Sequence, residues 1–415
     1  MIRDYFESPS IQTHIRGSSV GPYLDGYADA LAKIGYSPHT IRGYLRMAAH
    51  LGCFADQCGL AIGSLDGSIA GPFRRHLSHC SCGKRNKGLF RNAVPGVTQL
   101  LTYLRSLEVI APRSTAETAP ATAGISDHFA AWMIQHRGVT SYTRNRYQYY
   151  LSPFLAELGE DPARYDVASI RAFVIKELGT RGPGATRSAV TAIRAFLRFL
   201  VAEGRVAVGT EHCVPTVPLW RLSSLPRYLE DADVERVVQS CDLSKPQGLR
   251  DHAIVLLLAR LGLRGGDIVA MMLSDVDWIH GTLRVLGKGR RETLLPLPQE
   301  VGDAVLAYLE RGRPRADTQR MFVTVHAPIR PFATSATVSD TVRFALLRAG
   351  IHDAPTRGAH LLRHSAATSM LRAGSSLDTI STVLRHQSQD MTAYYAKVDL
   401  GMLRQVAQPW PGGAL

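Results

Sequence analysis

At 415 residues the chain exceeds one ordinary hydrophobic core, so two or three domains are expected. Hydrophobic residues make up 45% and charged residues 20%, the balance of a soluble globular protein. The formal charge of +13 is a footprint of nucleic-acid binding, with a basic housekeeping enzyme as the competing class. No stretch reaches the ~20 apolar residues of a membrane span; the most apolar run, 253–259, stops at Arg260. Residues 1–7 lead into polar sequence without the apolar core of a signal peptide. Six cysteines scattered over this length are no disulfide framework, and the cytoplasm is the expected compartment.

In chain order, Tyr23, Leu24, Tyr27, Leu31 and Ile34 recur at helical spacing. Ser37-Pro38 then reads as an N-cap followed by proline at the first helical position. It opens a second helix through Ile41, Tyr44, Leu45, Ala48 and Leu51. A third helix is expected near 69–77 and a fourth from Val97 through Leu107. Residues 1–112 thus form a small four-helix unit, and the Pro-, Ala- and Thr-rich stretch 113–124 a linker.

The plan then repeats. Gly35, Ser37, Thr40 and Tyr44 have counterparts in Gly138, Thr140, Thr143 and Tyr147, all 103 positions on. Tyr103-Leu104-Arg105 is echoed by Phe196-Leu197-Arg198, so 125–208 reads as a second, related four-helix unit. Both units carry cations suited to phosphate contacts: Arg42 and Arg46, then Arg144, Arg146, Arg187, Arg194 and Arg198. Taken singly, a solvated surface is the better reading of each; the pattern carries the inference. His76, His79, Cys80 and Cys82 offer zinc-ligand chemistry, but adjacent and alternate donors make a poor tetrahedral cage. A basic loop, Lys84-Arg85-Asn86-Lys87, beside buried thiols is the favoured reading, with no metal.

A second linker, 209–227, contains Pro215, Pro218 and Pro226. Domains joined in this way, with basic surfaces, have the makings of a clamp around a duplex. Beyond it, residues 229–238 form an acid-started helix and 250–263 an apolar core helix. Residues 282–286 and 293–297 pair as a hairpin with Lys288 at its tip, and helices resume from Pro298. The fold class is mainly α: two small helical bundles, then a mixed but mostly α domain with a small antiparallel sheet.

Six residues stand in telling contexts: Arg264 in Gly-Leu-Arg-x-x-Asp, Lys288 in Gly-Lys-Gly, His360 and Arg363 in His-x-x-Arg-His, His386 in Leu-x-His, and Tyr395 nine positions later. Each motif alone is common. In this order and context the set resembles the tyrosine recombinase (phage integrase) family, strongly over about 226–400 and weakly over 125–208, its core-binding domain. The resemblance implies a catalytic domain over 228–398 and a tail over 399–415. It also implies a 3′-phosphotyrosyl intermediate with Tyr395, rather than Tyr394, as nucleophile.

The chemistry gives each residue a reason. Two arginines, Arg264 and Arg363, can hold the scissile phosphate through charge-assisted bonds and stabilise its transition state. His360 is the candidate for proton handling at the nucleophile, His386 for a further phosphate hydrogen bond, and Lys288 for the general acid. Asp267 would brace Arg264, while His364 reads as a structural neighbour of the motif. Arg385 departs from the family, which usually has Gly there. The resemblance implies double-stranded DNA as partner, a tetramer on DNA, and neither ATP nor metal as cofactor. More narrowly, the chain is similar to recombinases of mobile elements that carry several recombinase genes in tandem, so other recombinases are candidate partners. Trp410, between Pro409 and Pro411, is a candidate anchor on a neighbouring protomer or on its own domain. Two rivals are a type IB topoisomerase-like nicking-closing enzyme and a non-catalytic synapsis subunit. Target site, direction of the reaction and the role of the first helical unit are not legible.

Overall fold

A computed structural model describes residues 1–80, 87–111, 124–216, 226–287, 292–386, 391–392 and 394–398. By contacts, Ser114–Ser223 forms one compact unit, and Met1–Arg113 with Ser224–Leu415 the other. Among the described residues each bundle has its own hydrophobic core, and the C-terminal region has a large one and a small one. No helix among the described residues is long and apolar enough to cross a membrane.

The first bundle contains α1 (Pro9–Arg16), α2 (Leu24–Lys33), α3 (Pro38–Gln57), α4 (Ala70–His79) and α5 (Lys87–Ser106). α1 is a helix beyond the four expected; of its two isoleucines Ile15 is buried and Ile11 exposed, too weak a pattern to read. At the start of α3, Ser37 Oγ accepts the Thr40 N–H, satisfying one of the helix's orphan donors. α3 buries Ile41, Tyr44, Leu45, Ala48 and Leu51 on one face, against α5.

The second bundle contains α6 (Ile125–Arg137), α7 (Ser141–Leu158), α8 (Val167–Thr180) and α9 (Pro183–Ala202). Here Thr140 Oγ1 accepts the Thr143 N–H, the same cap as Ser37 makes. Gly35 and Gly138, each ending the preceding helix, both adopt positive φ, +90° and +55°. α7 packs on α9 as α3 packs on α5. Phe129, Phe154, Phe173, Phe196 and Phe199 fill this core, and Val214 joins it, so the bundle's packing continues past 208 through a 3-10 turn at Thr210–Cys213.

The C-terminal region is built around α11 (Pro246–Leu261), nearly all of which is buried. α10 (Asp231–Gln239), α13 (Gln299–Ala307), α14 (Ser335–Arg348) and α15 (Ala359–Arg372) pack against it. The sheet is antiparallel in the order β1 (Val276–Asp277), β2 (Thr282–Leu286), β3 (Glu292–Pro296). Leu283 and Val285 face the core, and Leu286 pairs with Glu292 at the last register before the turn. β1, only two residues long, is the strand that no alternation could announce. α12 (Gly265–Ala270), α16 (Leu377–Leu384) and a 3-10 turn, Tyr394–Val398, complete the region.

Candidate active site

The site is assembled where two helices end. α11 stops at Gly262, whose φ of +58° turns the chain, and α16 stops at Arg385, whose φ is +54°. Arg363, on the second turn of α15, is only 4% exposed and donates to the carbonyls of both Gly262 and Leu384. These are orphan C-terminal carbonyls at the negative ends of their helices, good partners for a buried cation. Capping both ends with one guanidinium brings Arg264, two residues past Gly262, beside Arg385 and His386. Arg264 Nη2 donates to the Arg385 carbonyl at 2.8 Å.

Asp267 braces this cluster. Its Oδ2 accepts the Arg264 backbone N–H at 2.9 Å and Arg385 Nη2 at 2.6 Å. Arg385 occupies a left-handed position that ordinarily favours glycine, and its side chain is 7% exposed. Its Nε and Nη1 are buried without a hydrogen-bond partner among the described residues. Three guanidinium groups therefore lie close enough to feel one carboxylate, and among the described residues that of Arg385 is bonded to it. Burial, and then Arg264, push Arg363 down to about 10; burial likewise lowers Arg264. A donor set of this kind suits an anion rather than a metal ion.

A cleft of about 400 Å³ opens beside the cluster, lined by Arg264, Asp267, Gly287, Ser335, Ser339 and His360. Burial, and then Arg363, hold His360 below its ordinary value. Lys288 lies outside the described residues, one position along the chain from Gly287 in the cleft wall.

Tyr395 packs with Ala367, Ile380 and Leu384 and is 2% exposed. Its hydroxyl lies 2.7 Å from His364 Nδ1, so the histidine facing the phenol is His364. His360 sits one helical turn earlier on the same face of α15, in the cleft. Burial, then His360 and Arg363, push His364 down to about 4, leaving a neutral ring that can accept the phenolic hydrogen bond. Burial pushes Tyr395 up to about 12, opposed by Arg363 and Arg264. The His386 ring stacks on Tyr395 at 6.1 Å, its Nδ1 shares a 2.7 Å hydrogen bond with Thr392 Oγ1, and burial, then Arg363, push it down to about 4. Tyr394 stands edge-on to Tyr395 at 5.9 Å, with Lys397 Nζ over its ring.

The remaining candidate residues lie on the bundles. Arg42, Arg187 and Arg198 are exposed, and Arg46 lies over Phe6 at 5.2 Å. Arg144 bonds the neighbouring Asn145 side chain, while Arg146 bridges α7 and α9 through Ser188 Oγ at 2.6 Å. Arg194 is turned to an internal task, donating to the Val214 carbonyl at 2.9 Å. The tail 399–415, with Trp410, lies outside the described residues.

Two outcomes follow from this geometry. Arg385→Ala keeps the left-handed backbone but removes a buried partner of Asp267, and should destabilise by about 3 kcal/mol. Arg385→Gly, which relieves the backbone, should recover about 1 kcal/mol of that loss in urea unfolding. For pH, the unfolded chain protonates His364 and His386 near 6.5, whereas the folded protein does so only near 4. Their contribution is therefore complete above pH 6.5 and lost as pH falls toward 4. Melting temperature should drop across that window, and less steeply in His364→Gln.

The phage integrase family pattern matches residues 227–401. The protein y4rA of Sinorhizobium fredii, named for an integrase/recombinase, is 36% identical over 403 residues, covering 95% of each chain. Tyrosine recombinase XerD of Lacticaseibacillus casei is 29% identical over 279 residues, 66% of this chain and 93% of its own. In fold, a lambda integrase (75-356) dimer bound to a COC' core site matches with a TM-score of 0.52 at 17% identity, over 70% of this chain and 98% of that one. XerH bound to a palindromic difH substrate matches with a TM-score of 0.54 at 17% identity, over 68% and 83%. With a relative aligned almost end to end and the family pattern over the region that holds the site, the chain belongs to the tyrosine recombinase (phage integrase) family, enzymes of site-specific recombination that cleave and rejoin DNA.

Proposed function

We propose that this recombinase grips one scissile phosphate of duplex DNA at the Arg264–Arg363–Arg385 cluster and breaks the strand with Tyr395. The observation that carries this reading is the phenol bonded to His364 beside a buried group of guanidinium ions. Arg264 and Arg363 hold the non-bridging oxygens, and the unpartnered Nε and Nη1 of Arg385 are further donors for the same anion. His364 takes the phenolic proton as the Tyr395 oxygen bonds to phosphorus. His386 supplies a phosphate hydrogen bond, and His360 lines the cleft by which the phosphate enters. The P–O5′ bond breaks, Lys288 protonates the departing 5′-oxygen, and a 3′-phosphotyrosyl link remains. A 5′-hydroxyl reverses the sequence, so rejoining draws on the energy kept in that link and uses no ATP.

One tyrosine cuts one strand, so exchange between two duplexes uses four subunits. A lambda integrase tetramer bound to a Holliday junction shares the fold, with a TM-score of 0.51 at 17% identity. Residues 1–112 and 125–208 would be DNA-binding bundles, with Arg42, Arg46, Arg144, Arg146, Arg187 and Arg198 as phosphate contacts. Residues 228–398 would be the catalytic domain, acting on DNA in the cytoplasm, with other recombinases as candidate partners.

Tyr395→Phe should abolish covalent trapping on a suicide DNA substrate while duplex binding persists, and Tyr394→Phe should still trap. Undiminished covalent complex in Tyr395→Phe would show that the nucleophile lies elsewhere. His364→Ala should slow trapping by about 10²–10⁴-fold. Its rate should then climb with pH, because a phenol near 12 has to ionise unaided. Lys288→Ala should cleave slowly and regain speed on a 5′-phosphorothiolate substrate, whose leaving group needs no proton; absence of rescue would remove Lys288 as general acid.

A further inference from the structure

Away from the catalytic cluster, the first bundle draws three metal-ligand side chains together. His76 lies in the last turn of α4 and Cys80 is its C-cap residue, whose N–H bonds the His76 carbonyl at 3.0 Å and so keeps the two close. His50 comes from α3, 26 residues earlier, and was not part of the sequence cluster. Its Nε2 lies 3.1 Å from His76 Nε2 and 3.6 Å from Cys80 Sγ, and the three donor atoms all fall within 4.8 Å of one another. His79 takes no part: its Nδ1 is directed to the Arg75 carbonyl and Ser78 Oγ.

These separations have a chemical meaning. Zinc with Zn–N of about 2.05 Å and Zn–S of about 2.3 Å, arranged tetrahedrally, holds two nitrogens about 3.3 Å apart and a nitrogen and sulfur about 3.6 Å apart. His50 Nε2 has one proton or one lone pair, yet it faces both partners. A hydrogen bond can serve one of them well, whereas a cation accepts a lone pair from all three. The rings are walled on one side by Phe54 and Phe73, at 4.8 Å from His76 and 5.7 Å from His50, which limits water around the donors.

We propose that His50, His76 and Cys80 bind one zinc ion, with solvent in the fourth position, as a structural clip between α3 and the C-terminal end of α4. Imidazole and thiolate together select zinc over hard cations such as Mg²⁺ or Ca²⁺. Binding releases the thiol proton of Cys80, which leaves as zinc–sulfur coordination forms. The clip fixes the end of α4 just before the basic run Lys84-Arg85-Asn86-Lys87 in the sequence.

The test uses the full chain, untagged, grown with zinc and purified without chelator. About one zinc per chain is expected by elemental analysis, with one sulfur and two imidazole nitrogens by zinc-edge X-ray absorption. Cobalt substitution should give a thiolate-to-metal charge-transfer band. Cys80→Ser and His50→Gln should lower zinc affinity more than about 100-fold, while His79→Ala retains it. If Cys80→Ser does not fold, Cys80→His should retain zinc but lose the sulfur signal. Zinc retained in both Cys80→Ser and His50→Gln, or lost in His79→Ala, would overturn this ligand set. A folded wild-type chain that takes up no added Zn²⁺ would overturn the site.

Discussion

The catalytic region depends on the burial of one guanidinium. A buried charge is costly unless its donors are satisfied, and Arg363 meets that condition with the terminal carbonyls of two helices. The arrangement is mutual: each helix end needs a donor, and each donor needs an acceptor away from water. It also sets the spacing of the site, because Arg264 follows Gly262 by two residues and His386 follows Leu384 by two. A side chain at 262 would run into Leu384, so glycine serves both the left-handed turn and the close approach of the two ends.

Charge imbalance follows from the same arrangement. Asp267 is already engaged by Arg264 and Arg385, so the cluster keeps excess positive charge in a poorly hydrated setting. That excess, added to burial, depresses His360, His364 and His386, which therefore act as neutral hydrogen-bonding rings rather than cations at ordinary pH. In the proposed reaction, anion recognition is thus concentrated in the guanidinium groups, and proton handling falls to imidazole and Lys288.

Local features were the most legible in the sequence. Ser37 and Thr140 cap their helices because a hydroxyl at that position needs only its own next turn. Arg264, His360, Arg363, His386 and Tyr395 could be picked out because their motifs, in that order and context, resemble those of the family. What escaped was decided by distant partners. His364 reads as a mere neighbour of Arg363 until the Tyr394–Val398 turn folds back on α15 and sets Tyr395 against it. Arg385 reads as a misfit until Asp267, 118 residues earlier, lies beside it. His50 is one histidine on an amphipathic helix until α4 brings up His76 and Cys80.

The placement of Tyr395 links binding to chemistry. A phenol that is 2% exposed and bonded to His364 is withheld from an external phosphate. The cluster around it is small, Ala367, Ile380 and Leu384 with Met370, Leu371 and Tyr394 at its edge among the described residues, so freeing the ring costs about 2–3 kcal/mol of burial and about 1 kcal/mol for the hydrogen bond. Charge-assisted bonds from phosphate to the guanidinium donors are worth about 1.5–3 kcal/mol each. Two such bonds offset the release, provided they form only when the phosphate is seated. Leu384 packs against Tyr395 while its carbonyl binds Arg363, so one residue links the buried guanidinium to the packing around the phenol. In the proposed reaction, engagement of a phosphate at Arg363 would therefore act on the packing that holds the tyrosine, tying cleavage to occupancy of the site.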